Sequence, residues 1–179
     1  LGEYAKYVFV VAPSQHVFHI VKKYIKSLPK TKDKVCFIIC SKGIDLKRKK
    51  LLSEVIQELC PKNNIFILSG PSFAVQVAQN KPAAVTLAYR NLVQANQIKS
   101  LLNNKNFRVY LNKDMIGVQV NGAVKNILAI AAGMTDGLGF GENARAALIS
   151  RGLTEIEKIS VAYGAKKGST LGLSGIGDI

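Results

Sequence analysis

Residues 35–43 read VCFIICSKG, and the first six decide the fold. Val35–Cys40 is a short apolar run rich in β-branched and aromatic residues, the pattern of a strand covered on both faces of a parallel sheet. Ser41, Lys42 and Gly43 follow at its C-terminal end, where Gly43 lets the backbone turn sharply. Working outward, Tyr7–Ala12 (YVFVVA) is a second run of this kind, ended by Pro13. Ser14 then reads as the N-cap of a helix with Val17, Ile20, Val21, Tyr24 and Ile25 on one face. Leu28, Pro29 and a polar stretch to Lys34 close that helix. On the other side, Lys49 to Leu59 reads as an amphipathic helix with Leu52, Val55, Ile56 and Leu59 inward. Ile65–Leu68 is a further strand, running into Ser69-Gly70-Pro71-Ser72-Phe73-Ala74. Strands at Pro82–Ala88 and Phe107–Leu111 flank a helix at Leu92–Leu102. Alternation of strand and helix predicts an α/β fold, part of a doubly wound Rossmann-type sheet.

In such sheets ligands bind beyond the carboxyl ends of the strands. Three loops qualify: Ala12-Pro13-Ser14, Ser41-Lys42-Gly43 and Ser69-Gly70-Pro71-Ser72. Each offers small residues and free amides, and the second adds a cation. Taken singly, a lysine at a strand end also suits a solvated turn, and Gly-Pro-Ser a simple turn and cap.

After Leu111 the pattern becomes helix only. Lys113 to Gly164 predicts two long helices interrupted around Gly137–Gly141. The composition shift near residue 112 predicts a boundary there, between an α/β domain, 1–112, and the start of an all-helical domain, 113–179. Within the first long helix, Lys125 is the single charge in the mostly apolar run Val118–Met134, and Asn121, Gly122, Leu128, Ala129 and Ala132 share its face. A lysine on such a face lowers its pKa or finds an anion, which makes a proton donor able to work near neutral pH. The alternative is a lysine that snorkels to water.

Composition narrows the classes. Of 179 residues, 25 are Lys or Arg and 11 Asp or Glu, a net charge of +14. Lys47-Arg48-Lys49-Lys50 is the one dense basic run, without aromatic interleaving or a nucleic-acid module, so a solvated basic surface that attracts anionic metabolites is expected rather than nucleic-acid binding. Cys36, Cys40 and Cys60 lack metal-ligand spacing and suit a reducing, cytoplasmic compartment. No membrane span is expected, since no uncharged apolar run reaches about 18 residues. His16 and His19 share one helix, and no Ser/His/Asp set can be assembled.

SKGI (41–44), LSGPSFA (68–74), GAVKN (122–126), AIAAGMTDGLGFGENARAALISRGL (129–153) and GLSGIGD (172–178) stand in order along the chain. Together they resemble the NAD(P)-dependent glycerol-3-phosphate dehydrogenases of bacterial type. The resemblance implies reduction of dihydroxyacetone phosphate to sn-glycerol 3-phosphate with NADH or NADPH, for glycerophospholipid synthesis, by a cytoplasmic homodimer. It makes Lys125 the proton donor and acceptor. Lys42, Gly70, Ser72 and Asp178 match substrate-contacting positions, and Pro13, Lys42 and Ala74 cofactor-contacting ones. Two family features lack a counterpart: a Gly-x-Gly-x-x-Gly loop on the first strand, and an Arg-Asn pair beyond the Gly-Asp match. The chain is therefore expected to be a middle portion that binds cofactor poorly alone. A related hydroxyacid or sugar-acid dehydrogenase with a helix-borne lysine, and a noncatalytic basic binding module, are the competing expectations.

Overall fold

Hydrophobic runs of four to six residues form the sheet of this computed structural model, which describes residues 5–28 and 35–178, without the side chain of residue 178. The polar stretch expected to close the first helix, 29–34, lies outside the described residues. The elements run β1 (Tyr7–Val10), α1 (Val17–Lys26), β2 (Cys36–Ile39), β3 (Ile44–Asp45), β4 (Lys50–Leu51), α2 (Leu52–Leu59), β5 (Asn64–Ser69), α3 (Ala74–Ala78), β6 (Ala83–Ala88), α4 (Leu92–Leu102), β7 (Phe107–Asn112), α5 (Met115–Gly137) and α6 (Gly141–Ala162). Short 3-10 turns at Ser14–His16, Ser169–Leu171 and Ile176–Asp178 complete the path.

The five main strands lie in the order β1-β2-β5-β6-β7. Period-two alternation splits their side chains between two cores. Phe37, Ile39, Ile65 and Ile67 pack with Val17 and Val21 of α1, Leu52 and Ile56 of α2, and Met115 and Val118 of α5. Cys36, Ile38, Phe66, Val85, Leu87 and Val109 pack with Ala95 and Ile98 of α4 on the opposite face. Helices on both faces make the sheet doubly wound, as expected.

Register decides where the site is. Val10 pairs with Ile39 and Ile39 with Ile67 in a parallel ladder, so the segments after β1, β2 and β5 emerge side by side. β5 and β6 are antiparallel, with Ser69 opposite Thr86. Only the five-residue α3 separates them, too little for the crossover that a parallel pair needs. α5 therefore starts at the opposite end of the sheet and climbs alongside β5 toward the converging loops.

Several local expectations change. Ser14 makes no side-chain cap: it opens a 3-10 turn, and α1 starts at Val17. The helix expected from Lys49 starts at Leu52, because Lys50–Leu51 pairs with Ile44–Asp45 as a hairpin and Glu54 bonds the Leu51 amide at 2.7 Å. β1 is not buried throughout, since Phe9 is 43% exposed. The basic run is largely spent locally: Arg48 bonds buried Asp45 at 3.1 Å and lies 3.3 Å over the Phe18 ring, and Lys50 pairs with Glu58. The uncharged apolar run of about 18 residues is missing from α5 as well, since Lys125 interrupts it. α5 is long and apolar enough to cross a membrane by length and composition, but 56% of its apolar window is buried inside the fold, as in a core helix.

Candidate active site

α5 begins where Asp114 caps it. The carboxylate accepts from the Gly117 amide at 2.9 Å, and its other oxygen accepts from the Lys166 amide at 2.8 Å and from the Ser169 hydroxyl. One side chain thus fixes both the start of α5 and the segment after α6. Gln119, one turn on, is tied to the start of α2: its Oε1 accepts from Ser53 N at 3.0 Å and its Nε2 donates to Ser53 Oγ at 2.9 Å. Asn121 is fully buried, and its amide donates to the Ser169 carbonyl at 3.0 Å. Its oxygen accepts from Ser160 at 2.9 Å and Thr170 at 3.3 Å. α5, α6 and residues 169–170 are therefore locked at one depth.

Lys125 lies one turn beyond Asn121 and is 0% exposed. It does not snorkel. Burial first, and then the charge and hydrogen bonding of Lys42, push its pKa from the ordinary lysine range down to about 7. Lys42 reaches it from the loop after β2 and passes over Gly122, where a Cβ would touch Lys42 Cγ at an ordinary 3.8 Å but crowd Ser69 Oγ at 3.2 Å. The loop itself is held from below. Ser41 donates its hydroxyl to the Val10 and Ala12 carbonyls, and a Cβ on Gly43 would meet Ser14 Oγ at 2.7 Å.

Gly70 is buried at φ +147°, and a Cβ on it would meet Ala84 O and Val85 Cα at 3.0 Å. Only glycine suits that turn. Ser72 stands exposed just above, its hydroxyl donating to the Gly70 carbonyl at 3.2 Å. Asp178 closes the turn Ile176–Asp178, its side chain outside the described residues. A Cβ on Gly177 would lie 3.0 Å from Pro71 Cδ, so this turn sits against the Ser69–Ser72 loop. Pro13 is exposed on the first loop and Ala74 at the start of α3, just after the third. The fold thus gathers Lys42, Gly70, Ser72, Lys125 and the backbone of residue 178 at one end of the sheet, with Pro13 and Ala74 on its rim. α3, five residues long, is too short to offer an anion-binding helix start. No cluster able to hold a metal ion exists among the described residues. Sequence reasoning left Asp114 and Asn121 without roles. Of these, only Asp114, a cap residue just before an apolar run, carried a readable signal.

The model of the NAD-dependent glycerol-3-phosphate dehydrogenase N-terminus matches residues 2–95, and that of the C-terminus residues 114–179. The chain belongs to the NAD-dependent glycerol-3-phosphate dehydrogenase family. It is 44% identical over 175 residues to a glycerol-3-phosphate dehydrogenase [NAD(P)+] of Exiguobacterium sp., covering 96% of this chain and 50% of that relative. With the enzyme of that name from Bacillus velezensis it shares 41% identity over 178 residues, covering 98% and 51%. The solved glycerol-3-phosphate dehydrogenase of Coxiella burnetii superposes with a TM-score of 0.89 at 39% identity, over 97% of this chain and 52% of that one. The chain spans about half the length of the curated relatives it matches.

Proposed function

We propose that the protein containing this chain is an NAD(P)-dependent glycerol-3-phosphate dehydrogenase, interconverting dihydroxyacetone phosphate and sn-glycerol 3-phosphate, with Lys125 as general acid and base. The observation that carries this reading is a fully buried lysine with a pKa of about 7, beside a second lysine, where three strand ends converge. Reduction turns the ketone oxygen into an alkoxide, which needs a proton and a nearby positive charge. Lys125 gives the proton from its ammonium and is left as a neutral amine. In the reverse direction the amine takes the hydroxyl proton. Lys42 holds a positive charge beside the same oxygen. Gly70 and Ser72 contact the substrate at the rim, and Asp178 supplies a carboxylate there.

The residues present fit the nicotinamide end of a dinucleotide. Gly43 packs so closely on Ser14 that a Cβ there would meet Ser14 Oγ at 2.7 Å, which leaves bare backbone where the first two loops meet, and Pro13 and Ala74 are exposed at the same end of the sheet. When bound, a reduced nicotinamide supplies the hydride. The chain's own residues position the ketone, keep water from Lys125 and move the proton. In the same proposal residues 1–112 belong to the dinucleotide-binding part and 113–179 to the substrate part. The whole protein is a cytoplasmic homodimer whose product feeds glycerophospholipid synthesis.

The test is Lys125→Met in the full-length protein, with dihydroxyacetone phosphate and NADH or NADPH followed by nicotinamide absorbance. Turnover should fall by at least about a thousandfold, the scale of a general acid and its charge together, with cofactor affinity nearly unchanged. Turnover near the wild-type rate would sink the assignment, and a hydroxyacid and sugar-acid panel would then be the next measurement.

A further inference from the structure

A pocket of about 390 Å³ opens at the end of the sheet opposite the converging loops. Asn64 and Ile65, which start β5, line it, while the loop that carries Gly70 follows Ser69 at the other end of that strand. The two ends are about 17 Å apart at ~3.3 Å per residue. Register assembles the rest. β6 runs antiparallel to β5 with Ala88 opposite Ile67, so the chain leaving β6 carries Arg90 and Asn91 back to Ile65 and Asn64. α2 supplies another wall through Glu54, Gln57 and Glu58, and buried Met115, the first residue of α5, lines the pocket from inside.

The two walls offer opposite chemistry. Beside β5 are donors. Arg90 is exposed, and its guanidinium has no ion pair or hydrogen bond among the described residues. Asn91 accepts from the Gln94 amide at 3.1 Å through its oxygen, which leaves its NH2 to donate. On α2 are acceptors. Gln57 uses its NH2 on the Cys60 and Pro61 carbonyls, leaving its oxygen. Glu54 engages the Leu51 amide with one carboxylate oxygen and keeps the other, and Glu58 is paired with Lys50. Asp114, beside Met115, is occupied by its three donors. Lys62 and Lys113, exposed two residues before Asn64 and two before Met115, tip the local charge to positive.

We propose that this pocket is a second binding site, for a sugar phosphate, with the phosphate against Arg90, Asn64 and Asn91 and the sugar hydroxyls donating to Gln57 and Glu54. The planar fork of arginine matches phosphate oxygens two at a time. The volume falls within the roughly 300–1,000 Å³ of small-molecule sites. A neutral sugar would leave Arg90 unanswered, and inorganic phosphate would leave the acceptors of α2 unanswered. A ligand here touches α2, β5, the segment before α4 and the start of α5 at once, so binding stabilises the folded protein.

The experiment is calorimetric titration of the full-length protein with glucose 6-phosphate, beside glucose and inorganic phosphate at matched ionic strength, with melting followed in parallel. Saturable binding of glucose 6-phosphate and a higher Tm are expected, with glucose and inorganic phosphate each at least about tenfold weaker. Arg90→Gln should weaken glucose 6-phosphate at least about tenfold, and Arg90→Lys, which keeps the charge and loses the fork, should fall between. Lys42→Met, at the other end of the sheet, should leave the affinity unchanged. No binding by the wild type, inorganic phosphate as tight as the sugar phosphate, or wild-type affinity in Arg90→Gln would each overturn the proposal. So would affinity lost in Lys42→Met, which would put the ligand among the converging loops. If Arg90→Gln melts early, Arg90→Lys carries the comparison. The readout is binding, so the result stands whatever reaction Lys125 serves.

Discussion

Lys125 is expensive where it sits. An ammonium with no exposed surface, facing a second lysine, loses hydration and meets repulsion, and both lower its pKa. Linkage gives the sign. The folded chain holds this proton only below about 7, the unfolded chain up to the ordinary lysine value of 10.5. Between those values the unfolded state binds more protons, so stability contributed by this group rises with pH, by about 1.4 kcal/mol for each unit. Below about 7 both states are protonated and the full cost is present. Lys125→Met should therefore raise the urea midpoint of the full-length protein most at pH 6, with the advantage shrinking toward pH 10. A midpoint difference that stays constant over that range would show that Lys125 is not the buried cation argued here. The same cost makes the residue useful, because a lysine that parts with its proton near neutrality can exchange it with an alkoxide.

At the scale of elements, α5 depends on one cap. Asp114→Ala would leave the Gly117 and Lys166 amides and the Ser169 hydroxyl without their acceptor. Destabilisation of about 2–4 kcal/mol is expected, more than an ordinary cap, since three donors are orphaned together. Chemical denaturation of Asp114→Ala against Asp114→Asn checks it, the asparagine keeping the cap bond and losing part of the rest. This dependence also shows what was legible in the sequence. Interior strands and long helices were readable because apolar periodicity is local: α4 spans Leu92–Leu102 as expected, and the break between α5 and α6 falls between Gly137 and Gly141. The hairpin β3–β4 was not, because its two-residue strands have no period and Lys49 takes φ +55° against its own preference. The reversal at β6 was not either, since burial marks a strand without giving its direction. In the site, Lys125 stood out as one charge in an apolar run. Asn121 did not, because an asparagine on a helix gains meaning only from partners far along the chain.

For the whole molecule, the surface is as telling as the core. Ile127, Ile130, Met134 and Leu138 form a stripe along α5, each more than 60% exposed, with Phe140 beyond them at 66%. Side chains three to four residues apart on one helix face make a contiguous apolar patch of a kind monomers seldom leave open. The 179-residue chain is expected to bind the dye ANS and to self-associate as its concentration rises, despite repulsion from a net charge of +14. Ile130→Lys with Met134→Lys should reduce both, as read by fluorescence and by sedimentation. Equal dye binding and equal sedimentation in the variant would place the sticky surface elsewhere.

The Asp114, Gln119 and Asn121 bonds have a bearing on how the protein would fail when heated. Lys42 rides on the sheet and Lys125 on α5, so neither piece holds the chemistry by itself, and their meeting depends on the seam where Met115 and Val118 enter the core and the Gln119 bonds clasp α2. Such clasps can open while the strands beneath remain paired. Warmed gently, the protein would then go silent before it melts, and its useful lifetime would be that of the seam.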